Sequence, residues 1–324
     1  MKLRMPWVVV IGICLLILTR QASAGMTIDR TFSIAGSTGW NVRGINDNGT
    51  IVGSFTDNNN VNHGYLLSSC DSLTCVDVAG ASHTFLSATN NLDQLTGDCV
   101  INGVDSKFVM SGTSITWLNK PDAAAVVPLG INDGGQVVGS LYDQSYNNSG
   151  FSLLGSNYSL INCPDPATTA TIATAVNNHG DITGFYQVGQ QSVGYLLCHG
   201  NLTSFSVAGS SSVIPTGIDV LGNIVGNYLD DDGCQHSFLR ATDSTLYSID
   251  VAGAMNTSVQ GINNLGQVVG SFSTAEGTGA SFVGTPELTT LLTSGSLATP
   301  EPSTIWTGLL AVGAILLRVR SRRA

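Results

Sequence analysis

Gly130-Ile131-Asn132-Asp133-Gly134-Gly135-Gln136-Val137-Val138-Gly139 reads as an apolar run, a turn and a second apolar run. An Asn at the turn's start can bond its own backbone two residues on, and Gly accepts positive φ. The phrase stands again as Gly44-Ile45-Asn46-Asp47-Asn48-Gly49-Thr50-Ile51-Val52-Gly53, and returns from Ala88, Ala175, Gly217 and Gly261. Its key positions are Asn46, Asn90, Asn132, Asn177, Asp219 and Asn263, spaced 44, 42, 45, 42 and 44 residues apart. Two further landmarks keep register with them. An Ala or Pro precedes each key position by eleven residues (Ala35, Ala79, Pro121, Pro166, Ala208, Ala252), and an aromatic follows each phrase (Tyr65, Phe108, Phe151, Tyr195, Phe238, Phe282). Such self-similarity defines a repeat protein.

Each unit reads as four short strands. In the third copy these are Val126 to Ile131, Gln136 to Tyr142, Phe151 to Leu154 and Ser159 to Cys163. Gly and β-branched residues dominate, and no sustained 3.6-residue period argues for helices. Four antiparallel strands in about 43 residues is the size of a propeller blade. The expected fold is therefore all-β, a six-bladed β-propeller over residues 25–292, with a β-solenoid such as a parallel β-helix as the alternative. The sixth copy stops after its third strand, around Ser281 to Gly284, while Thr31 to Ile34 matches the strand opening every unit. Pairing these segments supplies the missing strand and leaves no exposed edge. Asp93 and Gln94 in the second copy, and Asp219 in the fifth, depart from the phrase, so those two blades are expected to be irregular.

Residues 1–24 carry Lys2 and Arg4, an 11-residue apolar stretch from Val8 to Leu18, and Ala22-Ser23-Ala24. This is the pattern of a cleaved secretory signal; a permanent membrane helix needs about 20 apolar residues. Between Asp29 and Glu301 lie all 22 acidic residues but only five basic ones (Arg30, Arg43, Lys107, Lys120 and Arg240), a balance of −17. That field repels nucleic acid and anionic lipid. Cys70, Cys75, Cys99, Cys163, Cys198 and Cys234 remain after signal removal, with no Cys-x-x-Cys pair among them. Cys70 and Cys75 flank Asp71-Ser72-Leu73-Thr74, and as opposed positions beside a turn they are the disulfide candidates.

No catalytic constellation stands out. The five histidines, His63, His83, His179, His199 and His236, show no metal-ligand spacing. His63 and His236 occupy equivalent repeat positions, which favours a structural role. Asp230-Asp231-Asp232-Gly233 lacks the alternating carboxylates of a calcium loop and reads as a solvated acidic turn. Gly-x-Ser-x-Gly, phosphate-loop and Ser-x-x-Lys motifs do not occur. No metal or cofactor is expected, and the chain is read as a non-enzyme. A carboxylate pair drawn from distant positions, as in a carbohydrate-active lyase or hydrolase, is the alternative.

After a small polar linker at 293–299 come Pro300-Glu301-Pro302, an apolar stretch from Ile305 to Leu317, and an end bearing Arg318, Arg320, Arg322 and Arg323. Thirteen apolar residues make about 20 Å of helix against roughly 30 Å of hydrocarbon, and the arginines hold the end on the cytoplasmic side. This tail, 300–324, resembles the PEP-CTERM sorting signal of bacteria. The resemblance implies transient membrane insertion, recognition of Pro300, Glu301 and Pro302 by an exosortase-type processing enzyme, a cell-surface or extracellular destination, and an association with exopolysaccharide or biofilm material. The body, with Gly-Ile-Asn-Asp phrases and His63-Gly64-Tyr65, resembles the extracellular HAF repeat, which implies location and no defined reaction. The expectation is an exported binding or scaffolding propeller, with extracellular polysaccharide as a partner and nucleic acid excluded.

Overall fold

The computed structural model describes residues 21–23, 25–277 and 279–287. The chain divides into two compact units, Met1–Leu288 and Thr289–Ala324, and only the first contains described residues. The strands run β1 (Gln21–Ser23) and β2 (Gly25–Phe32), then six sets in chain order. The first blade is β3 (Gly39–Ile45), β4 (Ile51–Thr56), β5 (Asn62–Leu67) and β6 (Leu73–Val76); the second is β7 (His83–Thr89), β8 (Gln94–Ile101), β9 (Val104–Ser111) and β10 (Ser114–Leu118). The third is β11 (Ala123–Ile131), β12 (Val137–Asp143), β13 (Asn148–Leu154) and β14 (Asn157–Ile161). The fourth is β15 (Thr168–Val176), β16 (Ile182–Val188), β17 (Gln191–Cys198) and β18 (Asn201–Phe205). The fifth is β19 (Ser210–Ile218), β20 (Ile224–Asp230), β21 (Gln235–Arg240) and β22 (Leu246–Ser248), and the sixth begins β23 (Asn256–Ile262), β24 (Val268–Ser273), β25 (Gly279–Glu287). The expected propeller is what forms. Single parallel bridges, Asn148↔Ala170 and Ser192↔Ser212, also link blades three to five.

Closure is by β2, the fourth strand of the sixth blade, antiparallel to β25 with Thr31↔Phe282 and Phe32↔Ser281 in register. The closing strand was expected at Thr31 to Ile34; it runs from Gly25 to Phe32 instead. Ile34 leaves the ladder because its side chain, 4% exposed, is a wedge between blades, packed with Tyr65 of the first and Val283 of the sixth. Val78, Val207 and Val251 fill the corresponding place before other blades and are buried likewise. Trp40 Nε1 donates to Ser281 Oγ at 2.8 Å across the same seam, and Arg30 on β2 pairs with Asp71 of the first blade.

One packing rule explains why the repeat needs its last Gly and its aromatic. The Gly of each second strand stands directly opposite the aromatic of the third: Gly53↔Tyr65, Gly97↔Phe108, Gly139↔Phe151, Gly184↔Tyr195, Gly226↔Phe238 and Gly270↔Phe282. All six rings are at most 1% exposed. A bulge in each inner strand, between Pro128 and Gly130 in the third blade, tucks a carbonyl under the same Gly. A Cβ at Gly139 would lie 1.9 Å from Val127 O and 2.8 Å from Phe151 Cε1.

The turn after each inner strand builds a belt around the axis. Asn46 Oδ1 accepts from the Asn48 and Thr50 amides at 3.1 and 3.0 Å, while its Nδ2 reaches into the next blade to Asn90 O at 3.0 Å. Asn90→Asn132, Asn132→Asn177 and Asn177→Asp219 continue the belt at 2.9, 2.9 and 3.0 Å, and Asn263 closes onto Asn46 O at 3.1 Å. The second blade, expected to be irregular, keeps this turn: Asp93 adopts φ 56° where the other copies have Gly, a conformation Asp tolerates better than most residues. The fifth differs chemically. Asp219 has no N–H to pass on, and its Oδ2 instead accepts from Asn223 Nδ2 at 2.8 Å. Asp219→Asn restores the missing donor once the Asn223 amide turns over. We expect about 1 kcal/mol of added stability and a melting temperature a few degrees higher, measured by thermal denaturation.

Candidate ligand-binding channel

The inner strands β3, β7, β11, β15, β19 and β23 line the axis, and a cavity of about 600 Å³ occupies the end away from the Asn belt. Two layers of side chains face it. Three residues before each key position stand Arg43, Ser87, Leu129, Thr174, Thr216 and Gln260; five before stand Asn41, Phe85, Val127, Ile172, Ile214 and Ser258. All but Ile172 line the cavity, joined by Asp98 on β8 and by Asn227, Tyr228, Leu229 and Gln235 of the fifth blade. The repeat holds its identity at the belt and loses it here. Period-2 alternation along the inner strand sends one set of residues into the blades, where packing constrains them, and the other into the channel, where it does not.

The polar groups of the cavity divide into those already engaged and those left available. Asn227 ties blades five and six, its Nδ2 donating to Val259 O and its Oδ1 accepting from Val259 N, both at 2.9 Å. Asn41 Oδ1 accepts from the Ser54 amide at 3.0 Å. Arg43 is exposed to the channel and has no hydrogen-bond or ion-pair partner among the described residues. Among the described residues of the lining, Asp98 is the one carboxylate, with Lys107 Nζ at 3.8 Å. Burial raises its pKa, Asp105 adds to that, and Lys107 and Arg43 oppose it. A cavity with apolar walls, the Phe85 ring, carboxamides and one cation can hold a polar, hydroxyl-bearing ligand by apolar contact and hydrogen bonding.

The opposite end of the axis is narrow, with about 80 Å³ of space. A second ring outside the belt alternates acceptor and donor. Asn91 Nδ2 donates to Asp47 Oδ2 and Asp133 Oδ2 at 2.8 and 2.9 Å, Asn178 Nδ2 to Asp133 Oδ2 at 2.6 Å, and Asn264 Nδ2 to Asp47 Oδ2 at 2.8 Å. Val220 interrupts it. These carboxylates are committed to the scaffold.

The two equivalent histidines are braces on the blade edges. His236 Nδ1 lies 2.8 Å from Asp250 Oδ2 and Nε2 lies 3.2 Å from Asp230 Oδ2, with the ring stacked on Tyr228 at 5.2 Å. The acidic turn is a turn: Asp230 Oδ1 accepts from the Asp232 and Cys234 amides at 3.0 and 2.8 Å. Burial lowers the His236 pKa, but the hydrogen bonds and charges of Asp250 and Asp230 outweigh it, leaving a net rise. The Asp230 pKa is lowered, first by the Cys234 amide. A raised histidine stabilises the fold below its unfolded pKa and loses that contribution as pH rises through the folded value; a depressed carboxylate does so above its own and loses it as pH falls. Both contributions are therefore complete between about pH 4 and 6.5. His236→Asn should abolish the histidine's share, about 0.2–1 kcal/mol at a partly exposed site. Denaturant curves at pH 5.5 and 8 should converge for wild type and variant only at the higher pH.

Cys70 and Cys75 are both exposed, with free thiols. The opposed placement that suggested a disulfide is replaced by a different register. Cys75 on β6 faces Tyr65, and Cys70 sits in the turn whose Asp71 amide donates to Ser68 O, because the turn closes on Ser68 and Ser72 and leaves Cys70 at its tip. Burial pushes the Cys75 thiol up to about 11, with Asp77 adding to the rise. Pro300, Glu301 and Pro302, the linker 293–299 and the apolar stretch 305–317 lie outside the described residues, as do residues 1–20. β1 belongs to the segment read as the export signal and pairs parallel with β22 over three residues. Among the described residues no helix is long and apolar enough to cross a membrane.

Sequence reasoning did not single out Arg43, Phe85, Asp98, Gln235 or Gln260. The signal available was the disagreement between copies at the third and fifth positions before the key Asn.

No protein-family model matches the chain, and no curated protein matches it. Among solved structures it is similar to TolB from Acinetobacter baumannii, with a TM-score of 0.52 and 8% identity over 73% of this chain and 63% of that one. It is also similar to the putative TolB from Agrobacterium tumefaciens, with a TM-score of 0.51 and 10% identity over 75% and 89%. Virginiamycin B lyase from Staphylococcus aureus aligns over 78% of this chain and 87% of that one, with a TM-score of 0.44 and 12% identity. The chain spans less than two thirds of the Acinetobacter protein's length. Likeness at these identities is a likeness of fold, and the fold this chain shares with its neighbours is the β-propeller.

Proposed function

We propose that the chain is an exported, non-catalytic propeller that holds a segment of uncharged extracellular polysaccharide in its channel mouth. One observation carries this reading: positions that differ from copy to copy converge on a single cavity combining the Phe85 ring, the Arg43 guanidinium and the amides of Gln235 and Gln260. Sugar rings offer an apolar face to an aromatic and hydroxyls to guanidinium and amide groups. Asp98 near Arg43 keeps the mouth close to neutral, and the −17 balance of the exported body disfavours polyanions. Calorimetry of the body with neutral and acidic exopolysaccharide fragments tests it. Binding of the neutral class, weakened at least about tenfold by Arg43→Ala or Phe85→Ala, supports the reading. New reducing ends that vanish in Asp98→Asn would replace it with the enzymatic alternative.

The tail supplies the route to the surface. Proline lacks a backbone N–H and disfavours helix, so the Pro300-Glu301-Pro302 phrase is suited by sequence to recognition by an exosortase-type enzyme of the membrane. Replacing the three residues with alanine should leave a larger, membrane-held species. The unaltered protein should end near residue 300, and intact mass showing Arg323 and Ala324 still attached would exclude processing.

A further inference from the structure

We infer that His63, Cys75 and Asp77, on the outer rim of the first blade, form a binding site for a divalent cation of the zinc class. One nitrogen, one sulfur and one carboxylate oxygen from these residues lie within 4.8 Å of one another. His63 Nδ1 is 3.0 Å from both oxygens of Asp77, and Cys75 Sγ is 3.4 Å from Asp77 Oδ2. In a tetrahedral zinc site, bonds of about 2.0–2.1 Å to nitrogen and oxygen and 2.3 Å to sulfur give N···O and S···O edges of about 3.3 and 3.5 Å. The two edges that meet at Asp77 thus already stand near the separations a shared ion imposes, and the third, between His63 and Cys75, is at most 4.8 Å. A ligating imidazole also needs its other nitrogen held. Asp57 Oδ2 lies 3.7 Å from His63 Nε2, itself fixed by the Asn59 and Val61 amides at 2.8 Å, and Phe55 stacks on the ring at 5.1 Å. Cys75 and Asp77 are exposed, leaving a coordination position for water or a ligand atom.

The fifth blade supplies the comparison that separates a site from a brace. There His236 lies between Asp230 and Asp250 at the same repeat offsets, and the place of Cys75 is taken by Ser248, whose Oγ donates to Asp250 Oδ2 at 2.8 Å. Asp, His and Asp with a hydroxyl suffice to brace a blade. The thiol in the first blade adds nothing to that role, since a serine makes the shorter hydrogen bond. What it adds is a soft ligand that zinc prefers and a hydroxyl does not provide. Asp181, Cys198 and His199 also cluster, but His199 sits in a turn at φ 50° and, among the described residues, has no carboxylate on its other ring nitrogen, so the first-blade cluster is the better built.

Zinc chloride titrated by calorimetry into the reduced, metal-free body is the test, with cobalt(II) as an optical probe of thiolate ligation. One zinc should bind in a Cys198→Ser background. Cys75→Ser, which copies the fifth blade and so preserves the brace, should weaken it at least about tenfold and remove the cobalt–thiolate band. Ser248→Cys should create a second equivalent. Zinc affinity unchanged by Cys75→Ser, or no binding in protein whose melting transition is intact, overturns the site. So does a Cys70–Cys75 disulfide in non-reduced protein, which would consume the ligand.

Discussion

A body that begins at Ser33 instead of Gly25 loses its cooperative fold. The truncation removes β2, and with it the seven residue pairs that join Gly25–Phe32 to β25. It bares a strand edge, uncovers Phe282 and Val283, and takes Met26 and Ile28 away from the sixth blade's core. The ring is held shut by that ladder, so the expected loss is comparable with the whole net stability of a domain, about 5–15 kcal/mol. Thermal melting followed by circular dichroism checks it. A body beginning at Gly25 should melt in one transition although it lacks β1, and a synthetic 25–35 peptide should restore part of the transition to the truncated protein. A sharp, unshifted transition from the Ser33 start would contradict closure by β2.

Gly139→Ala is a further large effect, and it comes from a methyl group. Extended backbone at Gly139 tolerates any residue; the surroundings do not. The added carbon meets the Val127 carbonyl at 1.9 Å and the Phe151 ring at 2.8 Å, so the bulged inner strand or the ring must move. We expect a cost of about 3 kcal/mol or more, a fall in melting temperature of roughly 6–12 °C. Phe151→Ala, which empties a fully buried site, should cost about 3–5 kcal/mol. Because the carbonyl contact survives loss of the ring, combining the two should relieve little of the Gly139→Ala cost. A double variant no worse than Phe151→Ala would show the ring, and not the bulge, to be what demands glycine.

The repeat was legible because its residues answer to geometry: Asn46 and its counterparts to a turn and an interblade carbonyl, Gly139 to a tucked carbonyl, Phe151 to a pocket of fixed size. Closure was legible in kind, but the strand's bounds were not. Ile34 looked like the end of a strand because β-branched residues suit strands, and nothing local distinguishes that from an interblade wedge. The channel was illegible for a related reason. Arg43 and Gln260 share a repeat position without resembling each other, so a search for recurrence passes over them. His63, Cys75 and Asp77 meet only through the pairing of β5 with β6, and their spacing along the chain matches no ligand motif.

The first and last described residues of the ring, Gly25 and Glu287, are direct partners across one ladder, at the face opposite the channel mouth. β25 is flanked on both sides, by β24 over six pairs and by β2 over seven. Tension applied at Glu287 and resisted by the rest of the ring therefore runs along the strand. Ladder hydrogen bonds lie across that direction, so they are sheared together instead of being peeled one at a time. Two ladders must slip at once before the ring opens. The same pull on Gly25 would load only one. Built this way, the ring resists a pull on the C-terminal end of β25 more strongly than a pull on the N-terminal end of β2.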